Sequence, residues 1–521
     1  MNGHPSHPQS FDLTVQHYFF LLIVGVCSLW VAWTGYVASD DAFYAVAGAG
    51  WANDFPYVAQ NFAAARFVIA APIGLMISLF GDNEFAVTLS TCLFFLGTVF
   101  LTLHFLAKQT GATAATVACC VLCTVPIFAL KATIPSADLP ELFFVACSVA
   151  LFWYATQRVQ PAVLLVFSGA CVSLAFGAHE VTGGLIVGYG VLFLAGYGLP
   201  RRQYFYIAGG FLAVIAVECI YYWIFAGNPF HRLAMLGPIV AASSGVAAPR
   251  GDRVDVAVFD VAKGGTLHVH QALDPILMFF THHDFGVLAY LVVPALWWCF
   301  VTMRHDKSPA LVLARLYAVL ALVWFLFAAV LLRQAILITR YYMVTWYLLF
   351  VVVSLWGAIA VWPRRRRMAI VLAALLVAGN LLAIFLDNKN PRFGERALVL
   401  YLAESEGPVQ VDPNTGSRVQ MFCKWSDQDC TRIKPGPPSA GLYFYNPGNA
   451  APSFGKKTTT QELASYQPKP TWKVVWQKEG NPKPLTSLAR LAKLDRWLPP
   501  GIYKKIAGPG LAVIVYELPE N

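Results

Sequence analysis

The sequence is short of charge. Only 12% of its 521 residues are Asp, Glu, Lys or Arg, about half the share found in a soluble domain. Large soluble chains split into domains with polar coats, so this scarcity excludes an ordinary water-soluble fold. A short-period internal repeat is also lacking. No small-residue cleavage site precedes Asp40, so the apolar run 17–37 reads as a first membrane helix and not as a removable leader. The Cys119-Cys120-Cys123 cluster has no His or carboxylate near it. It therefore reads as small packing residues and not as a metal or redox motif.

What is present is apolar. Hydrophobic residues make up 58% of the chain, which makes lipid the solvent for most of it. Aromatics reach 14%, as expected for interfacial belts of Trp and Tyr. The net charge of +9 reads as basic residues in short loops that orient helices, with no nucleic-acid partner. Apolar runs of about 20 residues place roughly eleven spans, at 17–37, 84–106, 112–130, 139–157, 162–178, 181–199, 205–226, 285–303, 310–332, 341–361 and 368–386. The shorter run 67–80 holds Pro72 and Gly74 and reads as re-entrant or interfacial.

Loop charges set the orientation. With the N-terminus cytoplasmic, the cytoplasmic loops hold Lys108, Arg158, Arg201, Arg202, Arg304, Lys307 and the run Arg364-Arg365-Arg366-Arg367. The opposite loops hold Asp40, Asp41, Asp54, Asp82, Glu84, Asp138, Glu141 and Glu180. The expected architecture is an all-α polytopic membrane domain over 1–386, with outer loops 38–83 and 227–284. A small extracytoplasmic mixed α/β domain follows over 387–521. There Pro, Gly, Lys and Asn rise, and strand-like runs appear at 407–411, 442–445 and 472–476. Cys423 and Cys430 fall in that domain, in an oxidising compartment, and a disulfide between them is expected.

Several residues carry candidate chemistry, each beside a plainer role. Asp40-Asp41 follows the first span. It is either a helix cap or a general base, since adjacent acids at a membrane surface raise one another's pKa. Asp138 caps a span, with Pro140 near the favoured first turn, or belongs to a site. His179-Glu180 is a tight outer turn or a charged binding pair. Arg66, Lys131, Arg333 and Arg340 break the charge rule by lying outside. They either pair with acids or snorkel, or they bind an anionic headgroup through the phosphate-matching guanidinium fork. His268, His270, His282 and His283 share an outer loop. They suit substrate hydrogen bonding or a metal, although spacing fixes no third ligand.

In order and placement these features resemble the GT-C glycosyltransferases of the protein O-mannosyltransferase and lipid A aminoarabinose transferase type. An acidic pair ends the first span. Leu79-Phe80-Gly81-Asp82-Asn83-Glu84-Phe85-Ala86 leads into the second. Asp138, Pro140, Phe143 and Phe144 follow the third, His179-Glu180 follows the fifth, and Arg340-Tyr341 opens a late span. The sequence departs from the family at Asp41, where relatives often carry Glu, and after Arg340-Tyr341, where Tyr342-Met343-Val344 replaces prolines. The resemblance implies an inverting cell-envelope glycosyltransferase. Its donor would be a polyprenyl-phosphate sugar and its acceptor a lipid, glycan or protein on the outer face. It implies Asp40 as base, with Asp41 and Asp138 supporting it. Arg66, Lys131, Arg340 and Arg333 would hold the donor phosphate, and His179, Glu180, Tyr341, His282 and His283 would lie along the substrate. No cofactor is required, although a divalent metal fits the outer histidines. The competing readings are a secondary transporter, which would need broken or polar helices at mid-membrane, and a non-catalytic scaffold of the same fold.

Overall fold

The computed structural model describes residues 12–235, 260–261, 265–266, 276, 279–280, 282–286, 288–302, 308–332, 339–386, 392–448, 464–483, 485–491, 493–500, 503 and 507–519. The chain divides into two compact units. The first comprises Met1–Gly35, Phe43–Gly81 and Phe85–Phe385. The second comprises Tyr36–Ala42, Asp82–Glu84 and Leu386–Asn521.

The first unit is helical. Among the described residues, six helices are long and apolar enough to cross a membrane: Val15–Ala32, Glu84–Thr110, Asp138–Ala155, Arg201–Ala226, Pro309–Val330 and Thr339–Phe385. This number makes the chain a multi-pass membrane protein. The outward faces agree, since Trp30, Phe205 and Trp223 are exposed apolar side chains of the kind that lipid covers.

The expected eleven spans are reduced for three physical reasons. Ala162–Ala178, Glu180–Ala195 and Ala289–Val301 are apolar but short. The run 112–130 is split into Ala112–Thr124 and Pro126–Ala132, bent by 64°. Pro126 sits in the first turn of the second piece, where its missing N–H costs nothing and its ring ends the preceding helix. The runs 341–361 and 368–386 form one stretch, Thr339–Phe385, with non-helical angles at Arg365 (φ −146°, ψ 53°).

Helix Ala162–Ala178 packs against both Asp138–Ala155 and Arg201–Ala226. The second contact depends on glycine. A Cβ on Gly169 would lie 1.9 Å from the Ile207 carbonyl oxygen, and one on Gly210 would lie 1.9 Å from that of Val166. The two backbones therefore touch directly, as small residues permit between membrane helices.

The second unit is built on a mixed five-stranded sheet: β1 (Val409–Val411), β2 (Ile433–Pro435), β3 (Gly441–Tyr445), β4 (Lys473–Glu479) and β5 (Ala512–Leu518), in the order β2-β1-β3-β5-β4. β1 pairs in parallel with β2 and β3, whereas β5 pairs antiparallel with β3 and β4. Parallel pairing needs crossovers. The β1–β2 crossover runs through the short helices Pro413–Arg418 and Gln420–Trp425. Cys423 and Cys430 form a disulfide. The segment from Tyr36 is held within this unit. Its ring lies edge-on to Phe422 and Trp425, and its N–H donates to Glu84 Oε1 at 2.8 Å. Arg396 forks onto both oxygens of Glu84, and Lys424 pairs with Asp82 at 2.6 Å.

Candidate functional site

In the first unit a polar network gathers around the turn between helices Ala162–Ala178 and Gly183–Ala195. The helix ends at Ala178 because His179 turns to extended angles (φ −152°, ψ 128°), and Glu180–Thr182 then form one tight 3-10 turn. Three of these four positions reach beyond the turn, two of them to one carboxylate. His179 Nδ1 meets Glu141 Oε2 at 3.1 Å, and Thr182 donates its hydroxyl to Glu141 Oε1 at 2.8 Å. The His179 ring also stacks on Tyr341 at 5.5 Å, whose ring lies 5.6 Å from the Arg340 guanidinium.

Glu180 faces two cations. Arg66 Nη2 donates to its Oε2 and Arg232 Nη2 to its Oε1, both at 2.6 Å. Arg66 further donates to the Tyr44 hydroxyl at 2.7 Å. Arg232 donates to the Phe176 carbonyl and, at 3.3 Å, to Glu218. Phe62 packs under both guanidinium groups. Two cations and two carboxylates balance in a mostly buried setting, which a buried ionic cluster requires.

Asp138 opens helix Asp138–Ala155 and is 2% exposed. Its Oδ2 is buried and accepts no hydrogen bond from the described residues. It shares the first helical turn with Glu141. Lys131, on Pro126–Ala132, is half-buried and makes no ion pair or side-chain hydrogen bond among the described residues. Asp284 accepts from the Thr339 hydroxyl at 2.6 Å, and His282 lies 3.5 Å from the Asp284 carboxylate. Arg333, His268, His270 and the His283 side chain lie outside the described residues. Among the described residues no three His, Cys, Asp or Glu side chains gather as metal ligands.

The acidic pair belongs to the second unit, and its members differ sharply. Asp40 is exposed and Asp41 is buried. The Asp41 carboxylate accepts from the Val37 and Ser39 N–H groups at 2.6 and 2.5 Å. It thereby holds the turn in which Ala38 takes a left-handed φ of 51°. Burial pushes the Asp41 pKa up to about 6, against the pull of these N–H groups and of Arg392.

The structure thus joins Arg66, Asp138, His179, Glu180, Arg340 and Tyr341 to one helical unit. It adds Tyr44, Glu141, Thr182, Glu218 and Arg232, which sequence reasoning did not select. Glu218 carried a signal, because an acid inside an apolar run marks function or a buried partner.

Residues 65–223 match the family model described as dolichyl-phosphate-mannose-protein mannosyltransferase. That range includes Arg66, Lys131, Asp138, Glu141, His179, Glu180 and Glu218 and leaves Asp40, Asp41 and Tyr341 outside. Among solved structures, ArnT from Cupriavidus metallidurans in the apo state is 12% identical with a TM-score of 0.53, covering 97% of each chain. The apo oligosaccharyltransferase of Archaeoglobus fulgidus is 10% identical with a TM-score of 0.52, covering 96% of this chain and 89% of that one. At these identities the likeness is one of fold. No curated protein sequence matches the chain.

Proposed function

We propose that this chain, which has the fold of the GT-C glycosyltransferases, moves a sugar from a polyprenyl-phosphate donor to an acceptor with inversion at the anomeric carbon. The observation that carries this reading is the Arg66–Glu180–Arg232 cluster with the neighbouring His179–Glu141 pair. All of these residues but Arg232 lie within a stretch whose family description names a dolichyl-phosphate sugar. Loop charges favour an N-terminus in the cytoplasm of a cell membrane, with chemistry and residues 387–521 on the outer face.

The chemistry divides among the residues by their surroundings. The acceptor hydroxyl needs a carboxylate that can take its proton, and exposed Asp40 suits that task. Asp41, committed to the Val37 and Ser39 N–H groups, positions it. The leaving group is a lipid phosphate, whose growing charge a fixed cation stabilises. Lys131 leads here, because Arg66 already holds Glu180. Arg340 supports it from the Tyr341 stack. Asp138 and Glu141 orient the acceptor side.

The test uses the purified chain in lipid vesicles with a radiolabelled polyprenyl-phosphate sugar and a panel of lipid, glycan and peptide acceptors. Asp40→Asn is expected to abolish transfer while the protein still inserts with wild-type stability. Wild-type turnover in Asp40→Asn would remove Asp40 from the mechanism, and absence of transfer to every acceptor by the wild type would remove the reading.

A further inference from the structure

The first unit contains an apolar groove that the proposed reaction does not use. Both arms of the Thr339–Phe385 helix line it together with helix Ala112–Thr124. Phe350 and Gly357 come from one arm, Trp362 and Leu376 from around the break and the other arm, and Val117 and Val121 from the third helix. Its empty space, open to the surroundings along its length, is about 640 Å³. Ser354 also lines it, but that hydroxyl donates to the Phe350 carbonyl at 2.8 Å, so it offers water little.

Charge lies at one end of this groove. Arg364, Arg365, Arg366 and Arg367 are all exposed, and the Arg366 guanidinium sits 5.1 Å from the ring of Trp362, a lining residue. Tyr341 opens the other end of the same arm. Phe350, the named lining residue of that arm nearest Tyr341, lies about 14 Å along the helix from it at about 1.5 Å per residue. The groove is therefore separate from the His179–Tyr341 network.

We propose that this groove holds an acyl chain of an anionic phospholipid, with the lipid phosphate on the Arg364–Arg367 run. The apolar lining accepts hydrocarbon. The arginines answer the negative headgroup with forked hydrogen bonds, as basic clusters beside membrane helices do for anionic lipids. Trp362 sits at the junction of chain and headgroup, where amphipathic rings settle.

The full chain, reconstituted in nanodiscs with equal phosphatidylglycerol and phosphatidylcholine, is extracted into mild detergent and weighed by native mass spectrometry. Wild type should retain phosphatidylglycerol over phosphatidylcholine. Gly357→Leu should cut phosphatidylglycerol retention by about fivefold or more with an unchanged melting temperature, because a Cβ there meets nothing within 4 Å. Ala118→Phe, on the facing helix, is the second groove-filling variant. Changing all four arginines to Gln should erase the headgroup preference and leave acyl retention. Equal retention of the two lipids by wild type, or unchanged retention in both filling variants, overturns the proposal. So does displacement of phosphatidylglycerol by an equimolar polyprenyl phosphate, which would make the groove a donor-lipid site.

Discussion

Glu180→Gln is the most informative single change in the helical unit. The wild-type carboxylate is shared by two guanidinium groups at 2.6 Å each. The Arg66, Arg232 and Glu180 side chains are 13%, 7% and 27% exposed. Gln keeps the shape and removes the charge, leaving the cluster one positive charge in excess. Breaking a fully buried pair costs about 3–5 kcal/mol, and breaking an exposed one costs up to about 1 kcal/mol. Partial exposure of Glu180 places its loss between these limits, at about 2–3 kcal/mol. Glu218→Gln removes a single 3.3 Å contact to an Arg232 that keeps Glu180 and the Phe176 carbonyl, so although this pair is buried its loss should cost about 1–2 kcal/mol, less than Glu180→Gln. The assay is unfolding of the purified protein in mixed micelles, followed by circular dichroism. The double variant Glu180→Gln/Arg232→Gln should lose less than the two single losses combined, by about 1–2 kcal/mol. Full additivity, or a Glu180→Gln loss as small as that of Glu218→Gln, would refute the claim that this carboxylate organises the cluster.

Further measurements address the rest of the molecule. The Asp41 and Asp412 pKa values are both raised to about 6 by burial, so the folded state binds their protons more tightly than the unfolded chain. Their contribution to stability is fully present below about pH 4 and is lost as pH rises through about 6. Denaturant midpoints of the second unit should fall over that window, and Asp41→Asn/Asp412→Asn should flatten the curve. A slope unchanged by both substitutions would contradict the assignment. Gly210→Leu should prevent helices Ala162–Ala178 and Arg201–Ala226 from closing and should abolish recovery of monodisperse protein by size exclusion. Wild-type elution and melting would show that the backbones do not need that contact. Cys423→Ser should cost about 2–3 kcal/mol, the loop-closure value for so short a bridge. Reducing agent should shift the melting of wild type and leave the variant unmoved.

Legibility varied with how local the cause was. Apolar runs marked most helices, and strand-like patterns marked β1, β3 and β4. Helix ends resisted, since the break at Val125 and Pro126 sits inside a run that is apolar throughout. The split between Asp40 and Asp41 was equally hidden. Which of two adjacent acids is buried depends on the left-handed turn at Ala38, which no side-chain pattern announces. Arg66 shows a different limit. Its position outside the charge rule flagged it, but its partner Glu180 lies 114 positions away, and pairing at that distance is set by folding alone. Arg232 escaped notice because it opens a long polar loop, where one more arginine carries no signal.

The turn at His179–Thr182 has a mechanical meaning. One residue grips Glu141, the next grips two arginines, and the third returns to Glu141. A single rigid turn of backbone therefore works as a shared axle for helices that are far apart in the chain. An anion that displaced Glu180 from its arginines would release one of the three grips on that axle. The His179 ring, stacked on Tyr341, ties the same axle to the start of the late span.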